Sequence, residues 1–264
     1  MKKPFEVIGG ELRIPLVGNI PHSSTYIEPA LRPAITLSDS KLQEELTKMT
    51  DWYTDELFTE IIAIGGVCVK ANHSRLVLDT ERYEDDSKEV MACRGMGVIY
   101  TATSGNEKLR ALLDAEVREV YLQEIYRPYH AALEGCVLKC IQKFGRCLII
   151  DCHSFPSKPL PYEVDQHLKR PEICIGTDRY HTPPALTAAA VDWCRAMGVS
   201  VEVDRPFSGS MVPRRFYTDT RVSSLMIEVR RDLYSDEATA ERSARFFECQ
   251  VLVGELVRQI VNTF

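Results

Sequence analysis

The sequence predicts an α/β fold with a mainly parallel or mixed central sheet and helices on both faces. Short β-branched apolar runs end in polar clusters, and helical-period segments long enough for crossovers lie between them. No internal repeat, low-complexity tract or linker divides the chain, so residues 1–264 read as one domain with one sizeable core.

The elements follow in order. A strand falls in LRIPLVGNI (12–20), interrupted by Pro15, and delivers the chain to the loop PHSSTYIEP. Helical spacing runs from Asp39 to Ile64 with a break near Thr50, and Gly65 and Gly66 end it. VCVKA (67–71) and RLVLD (75–79) read as strands, followed by a long polar loop from Thr80. From Glu107 to Phe144 the pattern is helical, and Pro128 should kink or divide it. CLIIDCHSF (147–155) is a buried strand that stops at ionisable side chains. A Pro-rich loop (156–184), a helix (185–197) closed by Gly198, and the strand VSVEVD (199–204) come next. SSLMIEVRRDLY (223–234) supplies another strand, and an amphipathic helix spans 237–262.

Composition narrows the function. With 32 basic against 38 acidic residues the formal charge is -6, and no Lys/Arg tract tracks a phosphate backbone, which argues against nucleic acid as a partner. The N-terminal stretch lacks the apolar region and cleavage site of a signal peptide, and no apolar run reaches the roughly 18 to 20 residues that cross a bilayer. Nine cysteines without a CxxC pair suit reduced thiols. The expectation is a soluble, cytoplasmic protein.

In open α/β sheets ligands bind beyond the carboxyl ends of strands, where IPHSS, VLDTER, IIDCHSF, VEVDRPF and MIEVRRD put their polar residues. His22, His153 and His181 occupy suggestive places; His73, His130 and His167 read as solvated or hydrogen-bonded imidazoles. Two strand-end imidazoles and a carboxylate can supply the three protein ligands of a catalytic zinc, although such a histidine can equally be a hydrogen-bonding anchor. Glu228 lies in the apolar run LMIEV, so it is either paired with Arg230 or Arg231 or kept for proton transfer. Arg75, Arg82, Arg205, Arg214 and Arg215 crowd the same loops and either grip a substrate carboxylate or pair with Asp79, Glu81 and Asp204. Strand alternation turns Cys152 away from His153 and lets Asp151 share the histidine's side, where it would orient the ligand.

In order, IPHSSTYIEP, TDWYTDELF, SRLVLDTER, DCHSFPSKPLPYE, ICIGTD, RPFSGSMVPRRFY and LMIEVRRDLYSDE resemble the N-formylglutamate amidohydrolase family, from about residue 14 to 237. The family belongs with hydrolases of the zinc carboxypeptidase and aspartoacylase type. The resemblance implies a zinc-carboxypeptidase-like fold, one Zn2+ or another divalent ion, and a small-molecule N-acyl amino acid as substrate. His22 and His153 match the family's histidine motifs and are the implied ligands. Asp51 is the expected carboxylate ligand, because Thr25 stands three residues after the first histidine; Glu28 and Asp55 are its rivals. Glu228 is the implied general base, and Arg82 is implied at the reaction centre and on the substrate carboxylate. Arg214, Arg75 and Ser154 are further candidates for substrate binding. The implied mechanism has Glu228 deprotonate a zinc-activated water and protonate the leaving amine.

One departure matters. The motif usually written Asp-Leu-Asn-Arg is DTER here, so Glu81 replaces an amide that would hydrogen-bond substrate and adds a negative charge. That leaves open an N-acyl-amino-acid or carboxypeptidase-like hydrolase with a different carboxylate substrate, or an inactive carboxylate-binding module.

Overall fold

The computed structural model describes residues 2–264, and Met1 lies outside the described residues. The strands are β1 (Phe5–Ile8), β2 (Leu16–Ile20), β3 (Val67–Ala71), β4 (Cys147–Phe155), β5 (Ile173–Gly176), β6 (Val201–Val203) and β7 (Val222–Arg230). The helices are α1 (Asp39–Met49), α2 (Thr54–Leu57), α3 (Glu60–Ala63), α4 (Ala115–Tyr121), α5 (Arg127–Phe144), α6 (Pro184–Ala196) and α7 (Phe246–Thr263).

The strands form one sheet in the order β1-β3-β2-β4-β7-β5-β6. Its centre, β3-β2-β4-β7, is parallel; β1 runs antiparallel to β3 and β5 antiparallel to β7, with β6 parallel to β5. The sheet is therefore mixed, with helices on both faces as the sequence predicts. Alternation along β4 divides the core. Leu148, Ile150 and Cys152 pack with residues of α2, α3, α6 and α7, while Cys147 and Ile149 pack under α5.

Gly18 in β2 lets the first of these layers close, since a Cβ there would sit 2.7 Å from Cys68 Sγ and 2.9 Å from Ile61 Cδ1. Gly65, at φ +104°, ends the segment after α3 in a conformation that side chains resist. The predicted break near Thr50 separates α1 from α2.

Several expectations need correction. RLVLD is a turn, because Val77 N–H donates to the Ser74 carbonyl at 2.9 Å and the buried Arg110 guanidinium takes the Leu76 and Val77 carbonyls that a strand would offer a neighbour. The helical pattern from Glu107 begins only at Ala115, where the Asp114 side chain caps Val117 N–H at 2.9 Å. A π-helical turn over Leu122–Tyr126 then accommodates Pro128, whose ring would crowd a continuous α-helix. The last helix starts at Phe246, not at 237, since Asp236 folds the chain back by accepting from Ala238 and Thr239 N–H. The short strands β1 and β5 escape the sequence reading because four residues carry too little periodicity. No helix among the described residues is long and apolar enough to cross a membrane.

Candidate active site

Because β2, β4 and β7 are parallel, their carboxyl ends share one edge of the sheet. His22 lies two residues beyond β2, and His153 is the Cα partner of Glu228 across β4 and β7. Asp51 comes from the loop between α1 and α2, whose backbone locks onto the β2 loop: Asp51 N–H donates to the His22 carbonyl at 3.0 Å. Asp79 and Glu81 come from the loop after the Ser74 turn. The predicted fifth strand end, VEVDRPF, is not at this edge. β6 runs opposite to β7, Asp204 accepts from Thr177 N–H at 2.7 Å, and Arg205 pairs with Asp165 at 2.9 Å.

One potential ligand atom from each of His22, Asp51 and His153 lies within 4.8 Å of the other two, and all three residues are buried. The hydrogen bonds behind them decide which ring nitrogens face inward. His22 Nε2 bonds Asp79 Oδ1 at 2.7 Å and His153 Nε2 bonds Asp151 Oδ1 at 3.0 Å, with Glu81 Oε2 in ion-pair contact 2.9 Å from the same nitrogen. An N–H at each Nε2 leaves a lone pair at each Nδ1. His22 Nδ1 is buried with no hydrogen-bond partner, and Asp51 Oδ2 stands 3.7 Å from it and 3.2 Å from His153 Nδ1. Three electron-rich atoms converging in a buried site fit a divalent cation held by two imidazoles and a carboxylate.

The carboxylate is itself held. Arg231 Nη2 donates to Asp51 Oδ1 at 2.8 Å, and Ser154 N–H donates to Oδ2 at 3.3 Å. Burial opposes ionisation of Asp51, but the His153 hydrogen bond, the neighbouring His22 imidazole and the Arg231 charge outweigh it and hold the carboxyl well below its ordinary range. Asp79 is likewise buried, yet His22 and Arg75 keep it ionised. His153 moves the other way: burial disfavours its charge, but Glu81 and Asp151 raise its pKa well above the ordinary value. In the metal-free protein a proton at Nδ1 can therefore bridge His153 to Asp51, in the position a cation would take.

Glu228 is 6 % exposed, its Oε2 has no hydrogen-bond partner, and burial pushes its pKa up to about 8. No ion pair ties it to an arginine among the described residues. Arg231 is committed to Asp51, and Arg230 to Asp232 at 2.7 Å. Of the two readings of this glutamate, the geometry favours a carboxyl free for proton transfer.

The arginines separate into distinct groups. Arg75 donates to Asp79 Oδ2 at 2.9 Å and to Tyr100 OH at 3.1 Å. Arg82 approaches the same carboxylate only to 3.8 Å, and its Nε has no hydrogen-bond partner. Two guanidiniums thus share one counter-ion, which leaves positive charge beside the histidine cluster. Arg214 is exposed on its turn, and no hydrogen bond or ion pair among the described residues joins it to the cluster. The Ser154 hydroxyl is taken by Arg231 Nε at 3.1 Å. The rival carboxylates are engaged elsewhere: Glu28 accepts from Lys2 N–H at 2.9 Å and Tyr26 OH at 3.1 Å, and Asp55 pairs with Lys70 at 3.3 Å.

His181 is an anchor, its ring nitrogens on the Val222 and Tyr217 carbonyls at 2.8 and 3.2 Å. His130 contacts the Thr80 carbonyl at 2.8 Å, and His167 is exposed. His73 is neither solvated nor hydrogen-bonded: it is buried edge-on to Tyr26 with both nitrogens unpartnered. Cys152 lies in the opposite core layer, where burial raises its thiol well above the ordinary range, so it has no part in the cluster. Sequence reasoning missed Asn19 and Tyr129. Asn19 had a signal, an amide inside the apolar strand LVGNI; Tyr129 had none, because helix periodicity explains a buried tyrosine equally well.

A mixed α/β sheet with a buried histidine and carboxylate centre at its parallel strand ends defines a candidate metal-assisted active site. The chain belongs to the N-formylglutamate amidohydrolase family, whose sequence profile matches residues 14–235. It is 28% identical over 232 residues to an N-formylglutamate deformylase of Pseudomonas putida, covering 85% of this chain and 83% of the relative. To the N-formylglutamate deformylase of Pseudomonas aeruginosa it is 29% identical over 233 residues, with 85% and 84% covered. The crystal structure of N-formylglutamate amidohydrolase from Ralstonia eutropha JMP134 superposes with a TM-score of 0.84 at 26% identity, covering 98% of both chains.

Proposed function

We propose that this chain is an amidohydrolase that hydrolyses the N-formyl amide of N-formylglutamate or a closely related N-acyl acidic amino acid. The convergence of ligand atoms from His22, Asp51 and His153 within 4.8 Å carries this reading, beside a free Glu228 and two arginines. The deformylase names of its relatives support the substrate class.

His22, Asp51 and His153 would hold a divalent metal, zinc by their chemistry. Bound there, it supplies Lewis-acid polarisation of the amide carbonyl and lowers the pKa of a water towards about 7. Glu228 takes the proton of the attacking water as the new C–O bond forms. The same carboxyl then delivers that proton to the amide nitrogen as the C–N bond breaks, releasing formate and the amino acid. Its apolar setting and raised pKa suit it to both directions of transfer. Arg82, with Arg75 behind it, holds a substrate carboxylate. Arg214 and Ser154 have no role in this reading.

Glu81 is turned onto Asn19 and His153, so replacing an amide by this glutamate no longer argues for a different substrate. One sheet carries the whole arrangement, and we treat residues 1–264 as one hydrolase domain. The nine free cysteines suit a reducing compartment such as the cytoplasm.

Formate release from N-formyl-L-glutamate by the zinc-loaded protein tests the proposal. N-acetyl-L-aspartate and a dipeptide serve as competitors for the assignment, and metal content is measured on the same sample. Stoichiometric zinc with chelator-sensitive formate release is expected. A zinc-loaded protein that releases no formate overturns the substrate assignment, and a protein that binds no zinc overturns the metal site.

A further inference from the structure

We infer that Glu81 is a positioning residue for His153, forming with Asp79 a two-pronged carboxylate loop that holds both histidines from behind. The inference rests on His22 and His153 being metal ligands. Asp79 Oδ1 accepts from His22 Nε2 at 2.7 Å, and two residues on Glu81 Oε2 lies 2.9 Å from His153 Nε2, an ion-pair contact beside the hydrogen bond that Nε2 makes to Asp151. The prongs are joined, because Asp79 Oδ1 also accepts Glu81 N–H at 2.9 Å. A neutral side chain at position 81 would leave Asp151 as the one carboxylate behind His153.

The second prong is built into the core. Asn19 Nδ2 donates to Glu81 Oε1 at 2.6 Å and to Asp151 Oδ1 at 2.8 Å, so its two hydrogens serve two carboxylates. Tyr129 OH, reaching from α5, donates to Asn19 Oδ1 at 2.5 Å and fixes which end of the amide faces them. Met211 N–H takes the remaining Asp151 oxygen at 2.8 Å. With Oε1 on Asn19 and Oε2 on His153, Glu81 has its carboxylate committed to the protein. Acceptors behind a ligating imidazole fix its tautomer and raise its basicity, and their loss typically costs about 10–100-fold in metal affinity.

The test measures Zn2+ affinity by chelator competition and the visible spectrum of the Co2+-loaded protein for wild type, E81Q and E81A. We expect about 10–100-fold weaker Zn2+ binding in E81A, a smaller loss in E81Q, an altered Co2+ spectrum, and KM for the N-formyl substrate within about twofold of wild type. E81Q, nearly isosteric, guards against a fold defect in E81A, and thermal midpoints check both. Unchanged Zn2+ affinity in both variants overturns the role of Glu81, as does a change confined to KM, which would mean substrate contact. Failure of wild type to bind Zn2+ at all would instead sink the reading of His22, Asp51 and His153.

Discussion

His153 and Glu228 are direct Cα partners on the parallel strands β4 and β7, at the edge where both strands end. Side chains at paired positions of a parallel ladder project from the same face, so a basic and an acidic group stand side by side above α5. Their pairing puts the Glu228 carboxyl beside the histidine cluster, where the proposed reaction needs a proton carrier.

The first prediction follows from this pairing. Glu228→Gln removes the proton carrier while keeping its shape, and kcat should fall by about 10²–10⁴-fold. Zinc content should stay at the wild-type level, because no metal-facing atom is touched. Parallel assays of formate release and metal content decide it; a near-normal rate rules the role out.

The same variant gives a prediction independent of catalysis. The carboxyl of Glu228 has its pKa raised from 4.5 to about 8 by burial, so in the metal-free protein the folded state holds a proton that the unfolded state has lost. Wild-type stability should therefore fall as pH rises from about 4.5 to about 8, and this cost stays present above it. Glu228→Gln carries no such cost. Its apo thermal midpoint should exceed wild type at pH 9 and converge with it at pH 4, as calorimetry of the chelator-treated proteins would show.

Asp51 faces the histidines through one oxygen and Arg231 through the other, both partners being buried. Asp51→Ala should abolish tight zinc binding and strand the arginine, costing about 3–5 kcal/mol of stability in chemical denaturation. Charge-neutral Asp51→Asn should lose zinc with a smaller loss of stability. Retention of zinc by both would transfer the ligand role away from Asp51.

Arg82 has spare donors where Arg75 is committed to Asp79 and Tyr100. Arg82→Met should raise KM for N-formyl-L-glutamate by about 10–100-fold, the equivalent of losing a charge-assisted hydrogen bond of about 1.5–3 kcal/mol. Its effect should be far weaker on an N-formyl amino acid without the side-chain carboxylate. Arg214→Ala, at an exposed turn, should leave both KM values unchanged, and steady-state kinetics on the two substrates compares them.

What the sequence by itself determined was local: apolar runs that end in polar residues, the break near Thr50, and the facing of Asp151 and His153 away from Cys152. These follow from side-chain periodicity and turn chemistry, which a short window of sequence contains. His22, His153 and Glu228 were visible because a polar group ending an apolar strand is conspicuous. The tertiary structure decided which distant groups meet. Asp51, not Glu28 or Asp55, faces the histidines because its N–H bonds the His22 carbonyl and Arg231 turns one of its oxygens away. Arg231 serves Asp51, not Glu228, and the end of β6 leaves the site because β5 and β6 run against β7. Glu81 meets its partners for the same reason: Asn19 and His153 come from strands far apart in the chain, and only sheet order places them around one carboxylate.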